Sequence, residues 1–351
     1  MKVFIPHKKD RNIYFDEIIN RANCEFSFGY FKDYDASFSI VNIQFPEAIF
    51  DLAIPSKEQL IELENAIIQW RKNSKLVVTL NDDKSHYDEE NKYGDLFKLI
   101  NKYADGVIHL GQYSVDSYKK DFPSNCKHKV VFHPLYESLN TNTSKENIEE
   151  KIKLDFNEKY VVSVIGAIRS LEEVKLMLKM FKALPQKNKL LIVPNMFNFK
   201  EIPKFVPYRF RKIYNYWVEK RYCYPLKNEQ YFFGYNFIEY DLMVDLVKKA
   251  SLLMIPRKRN LNSGNLYLGI TFDKAMIIPK IGNLTETANL LGLPVIDLEQ
   301  HNFKKNIKQI LKINEKIDFS SDKYQEGKKR FSPNEIANQY ESFFKELIKK
   351  K

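Results

Sequence analysis

The chain has 351 residues, more than one ordinary hydrophobic core accommodates, so the expectation is about two domains of roughly 100 to 200 residues each. Apolar residues at 44%, charged residues at 29% and aromatics at 14%, with the charges scattered rather than blocked, exclude a disordered chain. Lys plus Arg number 56 against 45 Asp plus Glu, and the formal net charge of +11 points to an anionic partner: a nucleotide, a nucleic acid or an anionic lipid surface.

Cys24, Cys126 and Cys223 form no CxxC or Cys/His cluster. They read as reduced thiols of a cytosolic protein, which excludes a disulfide framework and a structural zinc site. Met1 is followed directly by Lys2-Val3-Phe4-Ile5-Pro6 and then Lys8 and Lys9. That segment lacks the apolar core of a signal peptide and reads as a first strand. No run approaches the roughly 18 to 20 apolar residues of a membrane-spanning helix, so membrane contact is expected to be peripheral.

Short β-branched apolar runs alternate with helical-period segments, the pattern of parallel β-α-β units. In the first half the expected strands are 3–6, 37–44, 76–80, 107–110 and 129–132. Between them the clearest helix begins after Pro55: Ser56 caps, Gln59 completes a capping box, and Leu60, Leu63, Ile67 and Trp70 share one face. From 140 to 158 the sequence turns polar, as in a linker. The second half repeats the pattern, with strands expected at 160–165, 189–193, 231–233, 251–255, 276–279 and 295–297 and helices at 171–184 and 239–249. Two terminal segments, 306–316 and 333–350, are helical by period. The fold class read from this pattern is α/β: two doubly wound, Rossmann-like domains with a ligand in the cleft between strand carboxyl ends.

Two loops carry the chemistry of an anion site. In the first, a strand ending at Ile255 runs through Arg257-Lys258-Arg259 to Asn262-Ser263-Gly264 at a helix start. Free N–H groups, the helix dipole and adjacent cations there suit a diphosphate, and the glycine permits close backbone approach. A Ser/Asn-capped helix beside a solvated basic loop accounts for the same residues. In the second, Gly166 closes a strand and Arg169 precedes a helix, so that Arg169 is either directed at the cleft or simply an exposed surface arginine.

Several segments, in order, resemble those of GT-B glycosyltransferases, in the group-1/family-4 neighbourhood of bacterial polysaccharide mannosyl- and glucosyltransferases. They are Val41-Asn42-Ile43-Gln44-Phe45-Pro46-Glu47, Val78-Thr79-Leu80-Asn81-Asp82-Asp83-Lys84-Ser85-His86 and Val131-Phe132-His133-Pro134-Leu135-Tyr136 in the first half. In the second half they are Ile165 to Arg169, Ile255 to Gly264, and Ile277-Ile278-Pro279-Lys280-Ile281-Gly282-Asn283-Leu284-Thr285-Glu286. The resemblance implies a GT-B fold with two domains across a cleft, the acceptor in 1–140 and a UDP- or GDP-sugar donor in 159–330, joined by the 141–158 linker. The helix in 331–351 is expected to pack back on the N-terminal domain. It further implies donor contacts from Gly166, Arg169, Lys258, Asn262, Ser263, Gly264 and Glu286, no catalytic metal, and no cofactor beyond the nucleotide-sugar substrate.

Two departures bear on mechanism. Where the family carries a phosphate-neutralising lysine after Ile168-Arg169, this chain has Glu172, leaving Lys175 or the 257–259 cations to supply that charge. The paired glutamates of many retaining members are also missing after Gly264, which favours inversion by a single general base. Asp82, Asp83, His86 and Glu47 are the candidates for that base, with Asp82 or Asp83 preferred; the same 82–84 loop also reads as a solvated turn.

The segment 204–222 interleaves aromatics with cations. It suits an amphipathic helix packed on its own domain, an anionic bilayer surface, or single-stranded nucleic acid held by stacking. The combined expectation is a cytoplasmic glycosyltransferase, peripheral on the inner face of the cytoplasmic membrane, that extends a lipid-linked surface glycan such as capsule or lipopolysaccharide. A noncatalytic nucleotide- or sugar-binding protein and a basic nucleic-acid-binding protein are the rival readings.

Overall fold

The computed structural model describes residues 1–10, 12–83, 91–141, 149, 154–196, 203, 205–226, 229–235 and 239–349. The chain divides into two compact units: Met1–Leu135 together with Lys329–Lys351, and Tyr136–Lys328. Each is a parallel six-stranded sheet with helices in its connections.

In the first unit the strands are β1 (Lys2–Ile5), β2 (Glu25–Phe28), β3 (Ile40–Ile43), β4 (Lys75–Leu80), β5 (Gly106–His109) and β6 (Lys127–Val130). Their order is β2-β1-β3-β4-β5-β6, and every pairing is parallel. All of β3 and β5 is buried, as expected where helices cover both faces of a parallel sheet. The chain steps outward from β1 to β2 and then returns to the other side of β1 as β3. The strand order therefore reverses between β1 and β3, which is where an open α/β sheet leaves a crevice at its carboxyl edge.

Helix Lys57–Trp70 begins as its sequence dictates: the Ser56 hydroxyl accepts from the Gln59 amide at 3.3 Å and the Gln59 side chain accepts from the Ser56 amide at 2.8 Å. It buries Leu63, Ile67 and Trp70, and the indole meets Phe4 and Tyr34 with ring centroids 6.4 and 5.9 Å away. The C-terminal helix Pro333–Ile348 is capped by Ser332 and buries Ile336, Tyr340, Phe343 and Phe344 in this same unit. Its Tyr340 hydroxyl lies 3.0 Å from that of Tyr14.

The second unit contains β7 (Tyr160–Ser163), β8 (Lys189–Val193), β9 (Tyr231–Phe233), β10 (Leu252–Met254), β11 (Met276–Pro279) and β12 (Val295–Ile296). The order is β12-β11-β10-β7-β8-β9, the doubly wound arrangement of dinucleotide-binding sheets, with its reversal between β7 and β10. Helix Leu171–Ala183 fills one side of the core with Val174, Met177, Met180 and Phe181, all fully buried.

Two first-half strands differ from expectation. Glu25-Phe26-Ser27-Phe28 does not read as a strand, because polar residues interrupt its two phenylalanines and leave no apolar run, yet it pairs along the edge with β1. The strand expected at 129–132 is displaced to Lys127–Val130 because its register is set by pairing with β5. As an edge strand it tolerates Lys127, His128 and Lys129, whose polarity conceals it in the sequence.

Candidate functional site

The reversal between β7 and β10 brings together two loops that lie about ninety residues apart in sequence. One follows β7 and contains Gly166 and Arg169; the other follows β10 and runs from Ile255 to Ser263. Arg257, 3% exposed, ties them by donating through Nη2 to the Ala167 carbonyl at 2.6 Å. Its Nη1 pairs with the buried carboxylate of Glu173, which also accepts from the Arg169 amide at 2.6 Å. Glu173 stands in the first turn of helix Leu171–Ala183, where the dipole favours an acid, and Ser170 caps that turn by accepting from its amide.

At Gly166 a Cβ would meet the tip of the Asn265 side chain, so any larger residue there must displace that amide from the start of helix Gly264–Thr271. A Cβ on Gly264 would likewise strike the Tyr136 hydroxyl. Ser263 is the N-cap residue of that helix and is buried, but its side chain makes no capping bond, unlike Ser170. Asn262 Oδ1 accepts from Asn283 Nδ2 at 2.8 Å, which joins the β10 loop to helix Gly282–Leu290. Glu286 is half-exposed on that helix. Gly166, Arg169, Asn262, Ser263 and Gly264 thus belong to two touching loops.

The charge of this site is lower than its sequence suggests. Arg257 faces Glu173, and exposed Lys258 meets Glu172 at 3.4 Å. Two of the three clustered cations therefore face the acids that open the neighbouring helix. Sequence reasoning identified the lysine-to-glutamate change but not its geometric consequence, because the two residues of each pair are more than eighty positions apart.

In the first unit Glu47 and Asp82 line one crevice, together with Gln44, Asn81 and Phe97, at the carboxyl ends of β3 and β4. Glu47 is buried in the turn Pro46–Phe50, and Asp82 is half-exposed. Asp83 lines an adjoining cavity of about 500 Å³, which shares Leu80, Phe97 and Asn101 with that crevice, and accepts from the Tyr118 hydroxyl at 3.0 Å. Burial, reinforced by the Asp83 charge, pushes the Tyr118 hydroxyl pKa upward and keeps it a donor. His86 lies outside the described residues.

Sequence reading did not anticipate the buried amide network beneath this crevice. Gln44 Nε2 donates to Asn42 Oδ1 at 2.5 Å and to Thr79 Oγ1 at 3.1 Å, and Asn81 Nδ2 donates to the Gln44 carbonyl at 2.8 Å. Asn42, Gln44 and Thr79 are fully enclosed. Polar residues inside apolar runs were the available signal: a buried amide must find partners or incur its desolvation cost, so they indicate a shared network. His133 is also enclosed; its Nδ1 lies 2.6 Å from the Pro134 carbonyl, and burial lowers its pKa to about 3.

Among the described residues no group of three or more His, Cys, Asp or Glu is placed to hold a metal ion, and no helix is long and apolar enough to cross a membrane. No protein-family profile and no curated protein matches the chain in sequence. Solved structures match its fold. HepE (Alr3699) of Anabaena, solved with UDP-glucose, aligns at a TM-score of 0.62 with 13% identity over 98% of this chain and 99% of its own. Sucrose-phosphate synthase of Thermosynechococcus elongatus aligns at 0.61 with 13% identity, covering 90% of this chain and 75% of its own. MnaA of S. aureus, solved with UDP, aligns at 0.55 with 12% identity over 100% and 98%. The fold is GT-B: two Rossmann-like α/β domains, each on a parallel six-stranded sheet.

Proposed function

We propose that the chain is a glycosyltransferase that takes its sugar from a UDP- or GDP-linked donor and passes it to a glycan acceptor. The observation that carries this reading is the joining of the Gly166–Arg169 and 255–263 loops at the β7/β10 reversal, where an α/β sheet receives nucleotides. Structures of the same fold bound to UDP and UDP-glucose support it. In this reading the uncapped start of helix Gly264–Thr271 receives the diphosphate, with Arg169, Lys258 and Arg259 as its cations. Asn262, Ser263 and Glu286 complete the donor set.

The chemistry assigned is inversion at the anomeric carbon. A carboxylate of the first unit removes the acceptor hydroxyl proton as that oxygen attacks, and the nucleoside diphosphate leaves against the cations and helix N–H groups. Glu47 and Asp82 are the preferred bases because they share a crevice at the carboxyl ends of β3 and β4. The acceptor assigned is a lipid-linked surface glycan, and the setting is the cytoplasmic face of the membrane.

A second reading has its own support. The Arg257–Glu173 and Lys258–Glu172 pairs reduce the positive charge available to a diphosphate, as expected of a binding protein that no longer turns over its ligand. A thermal-shift panel of UDP, GDP, CMP, ADP and their sugars, followed by measurement of nucleoside diphosphate release, separates the readings. A ligand at 100 times its dissociation constant stabilises by about 2.7 kcal/mol. A selective shift with release supports the transferase, a shift without release under any acceptor supports the binding protein, and no shift with any nucleotide refutes both.

A further inference from the structure

The connection from β8 to β9 contains helix Arg211–Val218, and its continuation through residue 226 has two apolar faces rather than one. The inner face, with Tyr214, Val218, Tyr222, Cys223 and Leu226, packs on the core of the second unit. This contact suffices to hold the element in place. The outer face exposes Phe205 (84%), Phe210, Ile213 (64%), Tyr216, Trp217 (51%) and Tyr224. Burial within its own domain therefore explains Tyr214 and Tyr222 but not Phe205, Phe210, Tyr216, Trp217 and Tyr224, and an exposed apolar patch of this kind marks a docking surface.

The charges identify the occupant. Between 205 and 226 the chain carries Arg209, Arg211, Lys212, Lys220 and Arg221 against a single carboxylate, Glu219. Glu219 accepts from the Tyr235 hydroxyl at 2.6 Å. Lys220 lies over the rings of Tyr216 and Tyr224, 5.5 and 4.2 Å from their centroids, and Arg209 lies 4.9 Å from that of Phe210. Cations thus sit beside the exposed rings. This is the chemistry of a membrane interface, where aromatics enter the headgroup boundary and cations meet lipid phosphates.

We propose that this face docks the protein on an anionic phospholipid bilayer. The surface itself carries the inference, which stands whether or not the nucleotide site is as assigned above. A protein surface would not require the cationic excess. Single-stranded nucleic acid would use the rings by stacking, and the test distinguishes it.

Sedimentation with sucrose-loaded vesicles of phosphatidylcholine, with and without phosphatidylglycerol, is the assay. Binding is expected only to the anionic vesicles and is expected to weaken with salt, because each cation near such a leaflet contributes about a fivefold factor in affinity. The protein has two tryptophans, and Trp70 is 2% exposed, so the accompanying blue shift of emission comes from Trp217. Phe205→Ser/Ile213→Ser should lower vesicle affinity by more than about tenfold, since these side chains are 84% and 64% exposed and their loss chiefly removes interfacial burial. Lys212→Glu/Lys220→Glu, which leaves the inner-face packing intact because Lys220 lies over the exposed rings of Tyr216 and Tyr224, should do the same with an unchanged melting temperature. Failure of the wild type to bind anionic vesicles, or unchanged binding by both variants, overturns the proposal. So does displacement from vesicles by oligo-dT in low excess, which would assign the surface to single-stranded nucleic acid.

Discussion

Replacing Arg257 by methionine tests whether the two loops of the second unit are held by one buried ion pair. Arg257 and Glu173 are 3% and 7% exposed, and the arginine also serves the Ala167 carbonyl. Removing the guanidinium leaves an enclosed carboxylate that still accepts from the Arg169 amide, and takes a donor from the Ala167 carbonyl. Breaking a buried pair from one side costs about 3–5 kcal/mol. The nearby Lys258–Glu172 pair has side chains 50% and 69% exposed, so Lys258→Met should cost under about 1 kcal/mol. Because the chain has two units, a single unfolding free energy is ill-defined, and hydrogen exchange of peptides covering β7 and β10 is the suitable readout. Arg257→Met should lower protection there by more than about a hundredfold. Arg257→Met/Glu173→Leu should recover most of it, because replacing both partners by apolar groups removes the unpaired charge. A loss below about 1 kcal/mol in the single variant, or a double variant worse than either single one, would refute the argument.

Four further outcomes follow from the geometry. Gly166→Ala directs a methyl group at the Asn265 amide and should weaken UDP or GDP binding by at least about tenfold with little change in melting temperature, as read by calorimetric titration. Tyr340→Phe removes the hydroxyl facing Tyr14 and should destabilise the first unit by about 1–2 kcal/mol, measured as a shift in urea midpoint; an unchanged midpoint contradicts the network. His133 and His109 are held near pKa 3, His133 by burial and His109 by burial followed by the neighbouring His128. Their folded pKa values lie below the unfolded value of about 6.5, so the unfolded chain binds more protons as pH falls. Stability of the first unit should therefore be lost from about pH 6.5 toward pH 3, by roughly 1.4 kcal/mol per pH unit for each histidine, and His133→Gln should flatten that slope. Finally, Asp82→Asn and Glu47→Gln, assayed separately for glycosyl transfer, should identify the base: one should abolish turnover while leaving donor binding intact, and equal, full activity in both would remove this crevice from the mechanism.

Much of the fold was legible because parallel sheets covered on both faces require uninterrupted apolar strands, and Val161-Val162, Leu190-Leu191-Ile192 and Leu252-Leu253-Met254 are of that kind. The capping signal was equally local: Ser56 and Gln59 bond as their spacing dictates. Edge strands were harder to read, since β2 and β6 face solvent along one side and need no apolar run. The candidate site was legible as loops but not as a charge balance. Ser263 stands at the helix start its neighbours predict, and Gly166 lies in the loop beyond β7 rather than at the strand's end, whereas Arg257 and Lys258, read as cations for the phosphates, are opposed by Glu173 and Glu172.

The sequence by itself determined the local order: which segments are strands, where helices begin, and that two α/β units succeed one another. These properties depend on residues within a few positions of each other, through backbone sterics, capping and periodicity. Only the tertiary structure decided which loops share the β7/β10 reversal, that Glu47 and Asp82 line one crevice while Asp83 lines the adjoining one, and that Phe205, Phe210, Tyr216, Trp217 and Tyr224 are exposed while Tyr214 and Tyr222 pack inward. Each of these depends on strand order and on which helix face meets a core. Those are set by the summed burial of the whole unit, and no short stretch of chain encodes them.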